Sequence, residues 1–132
     1  MRSTLALLLL LAAPATAQDW PPEVAAIVEE SKAVCQGTFT AAPEAVTRID
    51  LNGDGTQDWV IDSAAFQCSD SYGTYCGTGG CAVDTLVDGI RSSFLFHDWG
   101  TLTENGATYL TAPNDSGGTA RFLWGNGEWQ IQ

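Results

Sequence analysis

From Asp19 onward, helical spacing of apolar residues occurs near the N-terminus. Val24, Ile27, Val28, Ser31 and Val34/Cys35 repeat along one side of a segment whose other side carries Glu29, Glu30 and Lys32. That pattern predicts a helix over Asp19–Ala33 with one face docked on something apolar. Pro21 and Pro22 suit a helix entrance. Glu23 follows them, where negative charge suits the positive end of the helix dipole. After Gly37 the pattern changes to short runs of β-branched and aromatic residues broken by Gly, Asn and Asp, which reads as strands and turns.

Three dipeptides, Asp88-Gly89, Asn105-Gly106 and Asn126-Gly127, tolerate the positive φ angles of two-residue hairpins, and each predicts a register. Around Asp88-Gly89, Val87 faces Ile90, Thr85 faces Ser92, Val83 faces Phe94 and Cys81 faces Phe96, one largely apolar set. The opposite face holds Leu86/Arg91, Asp84/Ser93 and Ala82/Leu95. Around Asn105-Gly106, Leu102 faces Tyr109 and Thr103 faces Thr108. Around Asn126-Gly127, Trp124 faces Trp129 and Phe122 faces Ile131. Asn114–Gly118 reads as a surface loop. The expected architecture is α+β: an N-terminal helix packed on one antiparallel meander sheet of about six to eight strands.

Residues 1–17 read as a cleavable export signal. Arg2 gives a positive start, Leu5–Ala13 is an unbroken apolar run, and Ala15-Thr16-Ala17 offers the small-x-small cleavage pattern. The expected mature chain is a single domain over residues 18–132, periplasmic or secreted, with no membrane insertion after cleavage. Its four cysteines, Cys35, Cys68, Cys76 and Cys81, predict two disulfides in an oxidising compartment, and four cysteines allow three pairings. The favoured one closes Gly77-Thr78-Gly79-Gly80 with Cys76–Cys81 and ties the N-terminal segment down with Cys35–Cys68. A zinc site is the weaker alternative, because no C-x-x-C spacing occurs.

Charge narrows the partners. The formal net charge is −11, and loss of Arg2 with the leader makes it more negative. Such a surface disfavours nucleic acid and anionic membrane, and favours cations and basic partners.

One segment carries metal chemistry. Asp50, Asn52 and Asp54 alternate, Gly55 follows, then Thr56 and Asp58, in the pattern D-x-N-x-D-G-x-x-D. Alternate side chains aim oxygens at one centre, Gly55 allows the sharp turn, the Thr56 carbonyl adds an oxygen, and Asp58 binds directly or through water. Calcium, which takes six to eight hard oxygen ligands, is the expected ion. Position twelve is Ile61 rather than glutamate, and both flanks read as strands. The loop thus departs from an EF-hand and resembles the strand–loop–strand sites of FG-GAP repeats, the blades of integrin-type propellers. The resemblance spans Val46–Asp62 and implies Asp50, Asn52, Asp54 and Asp58 as ligands, with the Thr56 carbonyl. One loop does not make a propeller of at least four blades, so it implies a site and not that fold. The loop together with Cys-Gly-Thr-Gly-Gly-Cys also resembles small exported bacterial proteins of no assigned activity. An ion-free turn rich in Asn, Asp and Gly is the alternative.

Other signals are weaker. His97 next to Asp98 suggests a catalytic pair, but neighbours on a strand face opposite ways, and Ser92 and Ser93 lie outside any G-x-S-x-G context. Gly77, Thr78, Gly79 and Gly80 form a candidate binding loop with exposed amides. Trp99, Trp124 and Trp129 suggest a sugar platform, yet Trp124 and Trp129 share a side with Phe122 and Ile131, which favours a core cluster. Asp84 and Asp88 form a carboxylate pair with no evident cleft. No catalytic residue is assigned. The expected function is an exported, non-catalytic binding or structural module with a structural calcium site and an unidentified protein or surface ligand. The alternatives are an acidic inhibitor of a basic hydrolase such as lysozyme and, last, a small hydrolase around His97.

Overall fold

The computed structural model describes residues 19–71 and 73–132; the proposed export signal lies outside the described residues. The helix α1 spans Pro22–Ala33, with Pro21 as its extended N-cap at ψ 157°. It starts three residues later than expected because a residue before proline is pushed out of the helical region. Val24, Ile27 and Val28 are its buried residues. Val34 falls just past the helix and is 61% exposed, so it does not join that face.

Eleven strands follow among the described residues: β1 (Phe39–Ala41), β2 (Val46–Ile49), β3 (Asp58–Asp62), β4 (Phe66–Cys68), β5 (Cys76–Gly77), β6 (Gly80–Val87), β7 (Ile90–Phe96), β8 (Gly100–Glu104), β9 (Ala107–Pro113), β10 (Thr119–Gly125) and β11 (Glu128–Ile131). The α+β class holds, but the expected single meander does not. The strands form three sheets: β1 with β4, the four-stranded β11-β10-β9-β8, and a five-stranded sheet in which β6 pairs with β3, β5 and β7 and β2 flanks β3. The reason is the burial of β6. Val83 through Val87 are all buried, including both faces of the strand, and a strand apolar on both faces needs a cover on each side.

One cover is α1 with the β1–β4 pair. Val24, Ile27, Val28, Ala45, Ile61, Phe66 and Leu86 form this core, with Phe39, Trp59 and Tyr75 packed against it. The other cover is the C-terminal sheet. Leu51, Val60, Val83, Val87 and Leu110 form the second core, joined by Phe94, Phe96, Trp99, Phe122, Trp124 and Trp129. Alternation along β3 and β6 sorts side chains between the two: Ile61 and Leu86 go to the helix side, Val60 and Val87 to the sheet side.

The hairpin registers agree with the turn chemistry. Val87 pairs with Ile90 and Cys81 with Phe96, Leu102 with Tyr109, and Trp124 with Trp129. Asp88, Asn105 and Asn126 adopt φ of 52°, 53° and 55°, the left-handed values that the first residue of such a turn requires. Ile131 departs from expectation. It pairs with Phe122 but sits on the edge strand and is 71% exposed.

Polar groups inside the two cores are paired. Asp84 is buried on the helix side. It accepts from Arg91 Nε at 3.3 Å and from the Ser93 hydroxyl, and Arg91 Nη1 also reaches Glu30 of α1 at 2.9 Å. The guanidinium therefore clamps the helix to β6. On the sheet side, Trp129 Nε1 donates to Thr85 Oγ1 at 3.0 Å, and Thr85 is fully buried.

Two predictions test this arrangement. Leu110→Ala is expected to cost about 2–5 kcal/mol in urea unfolding, the range for a truncated buried leucine; a loss under about 1 kcal/mol would mean that the second core is not packed as described. Arg91→Ala is expected to cost about 2 kcal/mol, below the range for a fully buried pair because Arg91 is half-exposed, and to leave Asp84 buried without its cation. Unchanged stability of that variant would show that the clamp contributes nothing to the fold.

Candidate metal centre

The segment Asp50–Asp58 joins β2 to β3, which pair antiparallel with Ile49 opposite Asp58. The local arrangement is therefore strand–loop–strand. Its two ends are fixed differently. Asp58 begins β3 and is only 4% exposed, and its Oδ2 accepts from the Leu51 amide at 2.9 Å. Leu51 is itself fully buried in the sheet-side core. The loop tip, Gly53 to Gln57, is exposed.

The loop wraps around its own carboxylates. Asp50 accepts from the Gly53 and Gly55 amides, each at 2.9 Å. Asn52 Oδ1 accepts from the Asp54 amide at 3.3 Å, and Asp54 Oδ1 accepts from the Thr56 amide at 2.8 Å. Gly55 stands at φ 84° with open space around it, so what the position requires is the left-handed backbone rather than room. These turns bring carboxylate oxygens of Asp50, Asp54 and Asp58 within 4.8 Å of one another. Asn52 lies beside them, its amide nitrogen 3.4 Å from Asp54 Oδ2. The structure thus gathers Asp50, Asn52, Asp54 and Asp58 of the expected ligand set. Thr56 is exposed and contributes its amide to Asp54.

The three carboxylates are not electrostatically alike. Burial pushes Asp58 up to about 6, against the Leu51 amide, and the charges of Asp54, Asp50 and Asp88 add to the rise. For Asp50, burial also acts upward, but the amides of Gly55, Gly53, Asn52 and Asp54 outweigh it and hold the carboxyl below its ordinary value. Asp88 is the residue that sequence reasoning misses here. By sequence it is only a hairpin turn residue and a partner for Asp84. Pairing of Trp59 with Leu86 carries the β6–β7 turn to the Asp58 end of the loop, a neighbourhood visible only once β3 and β6 are known to be adjacent.

The remaining candidates disperse. The Cys35–Cys68 and Cys76–Cys81 pairings are both formed. In the glycine loop, Gly77 pairs with Gly80 across a two-residue turn. Gly80 is buried rather than presented. Its φ is 107°, and a Cβ there would meet the Phe96 carbonyl at 2.4 Å, so this glycine serves close packing on β7. His97 is exposed just beyond β7. Ser93 is committed to Asp84, and Asp84 to Arg91, which separates Asp84 from Asp88 in role. Trp99 donates from Nε1 to Asp62 Oδ2 at 3.0 Å, and the Trp124 and Trp129 rings meet edge-on at 5.2 Å. All three tryptophans pack against the sheet-side core. A groove of about 500 Å³ lies away from the loop, lined by Thr40, Phe66, Gln67, Ser69, Tyr75 and neighbours.

Comparison with known proteins finds no matching family model, no similar curated protein and no similar solved structure. The functional reading rests on the residues themselves.

The position of Asp58 has a consequence for the metal-free protein. A carboxyl at about 6 when folded and 3.8 in its ordinary state binds its proton more tightly in the folded form. Its contribution is present below about pH 4 and is lost as pH rises through 6, a change of about 3 kcal/mol at this group. Asp58→Asn keeps an acceptor for the Leu51 amide without the charge. In EDTA its Tm relative to wild type is expected to rise between pH 4 and pH 7.5; an offset that does not change with pH would show that Asp58 is not buried against repulsion.

Proposed function

We propose that this protein is an exported, non-catalytic binding or structural module whose fold is stabilised by a calcium ion held at Asp50–Asp58. The observation that carries the reading is the convergence of three carboxylates from one short loop, with an asparagine side chain beside them. Hard oxygen donors of this kind suit calcium, which accepts irregular cages of six to eight oxygens. Asp50, Asn52, Asp54 and Asp58 would hold the ion, with the Thr56 carbonyl as a further donor. The ion would supply positive charge where Asp58 is buried among other carboxylates, so that binding stabilises the folded state by mass action. The FG-GAP-like pattern and the strand on either side of the loop support the same reading.

Export fits the rest of the molecule. All four cysteines are paired, as suits an oxidising compartment. Among the described residues, no helix is long and apolar enough to cross a membrane. An acidic surface, with a net charge of −11, suits a basic protein or surface as partner.

Thermal unfolding in millimolar calcium and in EDTA tests the site. Calcium is expected to raise the wild-type Tm by about 5 °C or more, the shift that about 1 kcal/mol of binding free energy produces in a small domain. Asp54→Ala is expected to abolish the rise and to fold normally in EDTA, because Asp54 is exposed. A wild-type Tm indifferent to calcium would make Asp50–Asp58 a turn and nothing more.

A further inference from the structure

The two disulfides occupy unlike settings. Cys35–Cys68 links the residues beyond α1 to β4 across a sequence separation of 33, and Cys68 is buried. Cys76–Cys81 spans a separation of five, with its Cα atoms 4.1 Å apart. Its two cysteines sit directly opposite each other on β5 and β6. Cys76 is exposed, as are Gly77, Thr78 and Gly79 after it. No charged residue lies between the two cysteines, so the turn itself offers no carboxylate to repel an approaching thiolate.

Opening that bond would disturb only a short segment. β5 contributes only two pairs, Cys76 with Cys81 and Gly77 with Gly80. β6 keeps its pairing with β3 along Trp59–Asp62 and its seven pairs with β7. Upstream, Tyr75 is anchored independently. Its hydroxyl donates to the Ser31 carbonyl at 2.8 Å, its carbonyl accepts from the Ser63 hydroxyl at 3.3 Å, and its ring packs on Phe39 and Phe66. Displacement therefore stops at Tyr75 on one side and at Gly80 on the other. Neither core contains a residue from Cys76 to Cys81.

We propose that Cys76–Cys81 is a thiol–disulfide exchange site, a reactive disulfide that an external dithiol reduces while the domain stays folded. A thiolate of the dithiol attacks Cys76 Sγ, forms a mixed disulfide with it, and releases Cys81 as a thiolate. The second thiol of the reductant, deprotonated, then attacks its own sulfur of that mixed disulfide and releases Cys76. The protein disulfide gains two electrons and takes up two protons as two thiols; the dithiol becomes a cyclic or intramolecular disulfide. Exposure sets the order, since accessible disulfides are the labile ones and buried structural ones resist the same reductant. The site is independent of the metal loop.

The test uses the native wild-type protein. It is incubated with increasing dithiothreitol, alkylated, and mapped by peptide mass spectrometry, with near-ultraviolet circular dichroism on the same samples. Cys76 and Cys81 are expected to reach half-labelling at a dithiothreitol concentration about tenfold lower than Cys35 and Cys68, with the tertiary spectrum retained across the first step. Joint labelling of all four cysteines, earlier labelling of Cys35 and Cys68, or loss of the tertiary spectrum as Cys76 becomes alkylated would each overturn the proposal.

Discussion

Burial of β6 on both faces is the constraint on which the rest of the architecture depends. Val83 and Val87 face the C-terminal sheet, and Leu86 faces the helix. Full burial of a valine, leucine or isoleucine is worth about 1.5–3 kcal/mol against leaving it in water. A single open sheet would forfeit that on one side of the strand. The chain therefore supplies two covers from its two ends, α1 before the central sheet and β8–β11 after it. Aromatic side chains fill much of the sheet-on-sheet side, where the Phe94 and Phe122 ring centroids lie 5.4 Å apart.

A strand buried on both sides must also satisfy its polar members on both sides. Asp84 and Thr85 are adjacent and point to opposite covers. Each is satisfied from outside its own strand: Asp84 by Arg91 and Ser93 of β7, Thr85 by Trp129 of β11. Arg91 extends the first of these to Glu30 of α1. The same polar contacts that remove the cost of burial thus fix how each cover sits, since a hydrogen bond has a direction and apolar contact does not.

The candidate metal centre draws on this rigidity at one end. Asp58 is held by β3, and Leu51 locks its oxygen from the sheet-side core. Asp50 and Asp54 are held by turns within the exposed part of the loop. A buried carboxylate and two loop carboxylates in mutual reach combine a fixed donor with adaptable ones, an arrangement suited to a cation with flexible coordination. The Cys76–Cys81 hairpin shows the converse. It lies on the central sheet but contributes to neither core, so its covalent bond and the fold are only loosely dependent on each other.

What was legible in the sequence was local. Asp-Gly and Asn-Gly dipeptides set the three hairpin registers because left-handed backbone is cheap for those residues. Short loop length favoured Cys76 with Cys81, and the alternating oxygens of Asp50–Asp58 marked a loop that converges on itself. All of these depend on residues a few positions apart. The division into three sheets, the exposure of Ile131 at an edge, the burial of Gly80 under β7 and the approach of Asp88 to Asp58 were decided by tertiary structure. Period-two alternation says which residues share a face of a strand but not which layer covers it. That choice falls to the packing of distant segments, where apolar area on both faces of β6 outweighs the continuity of a single meander.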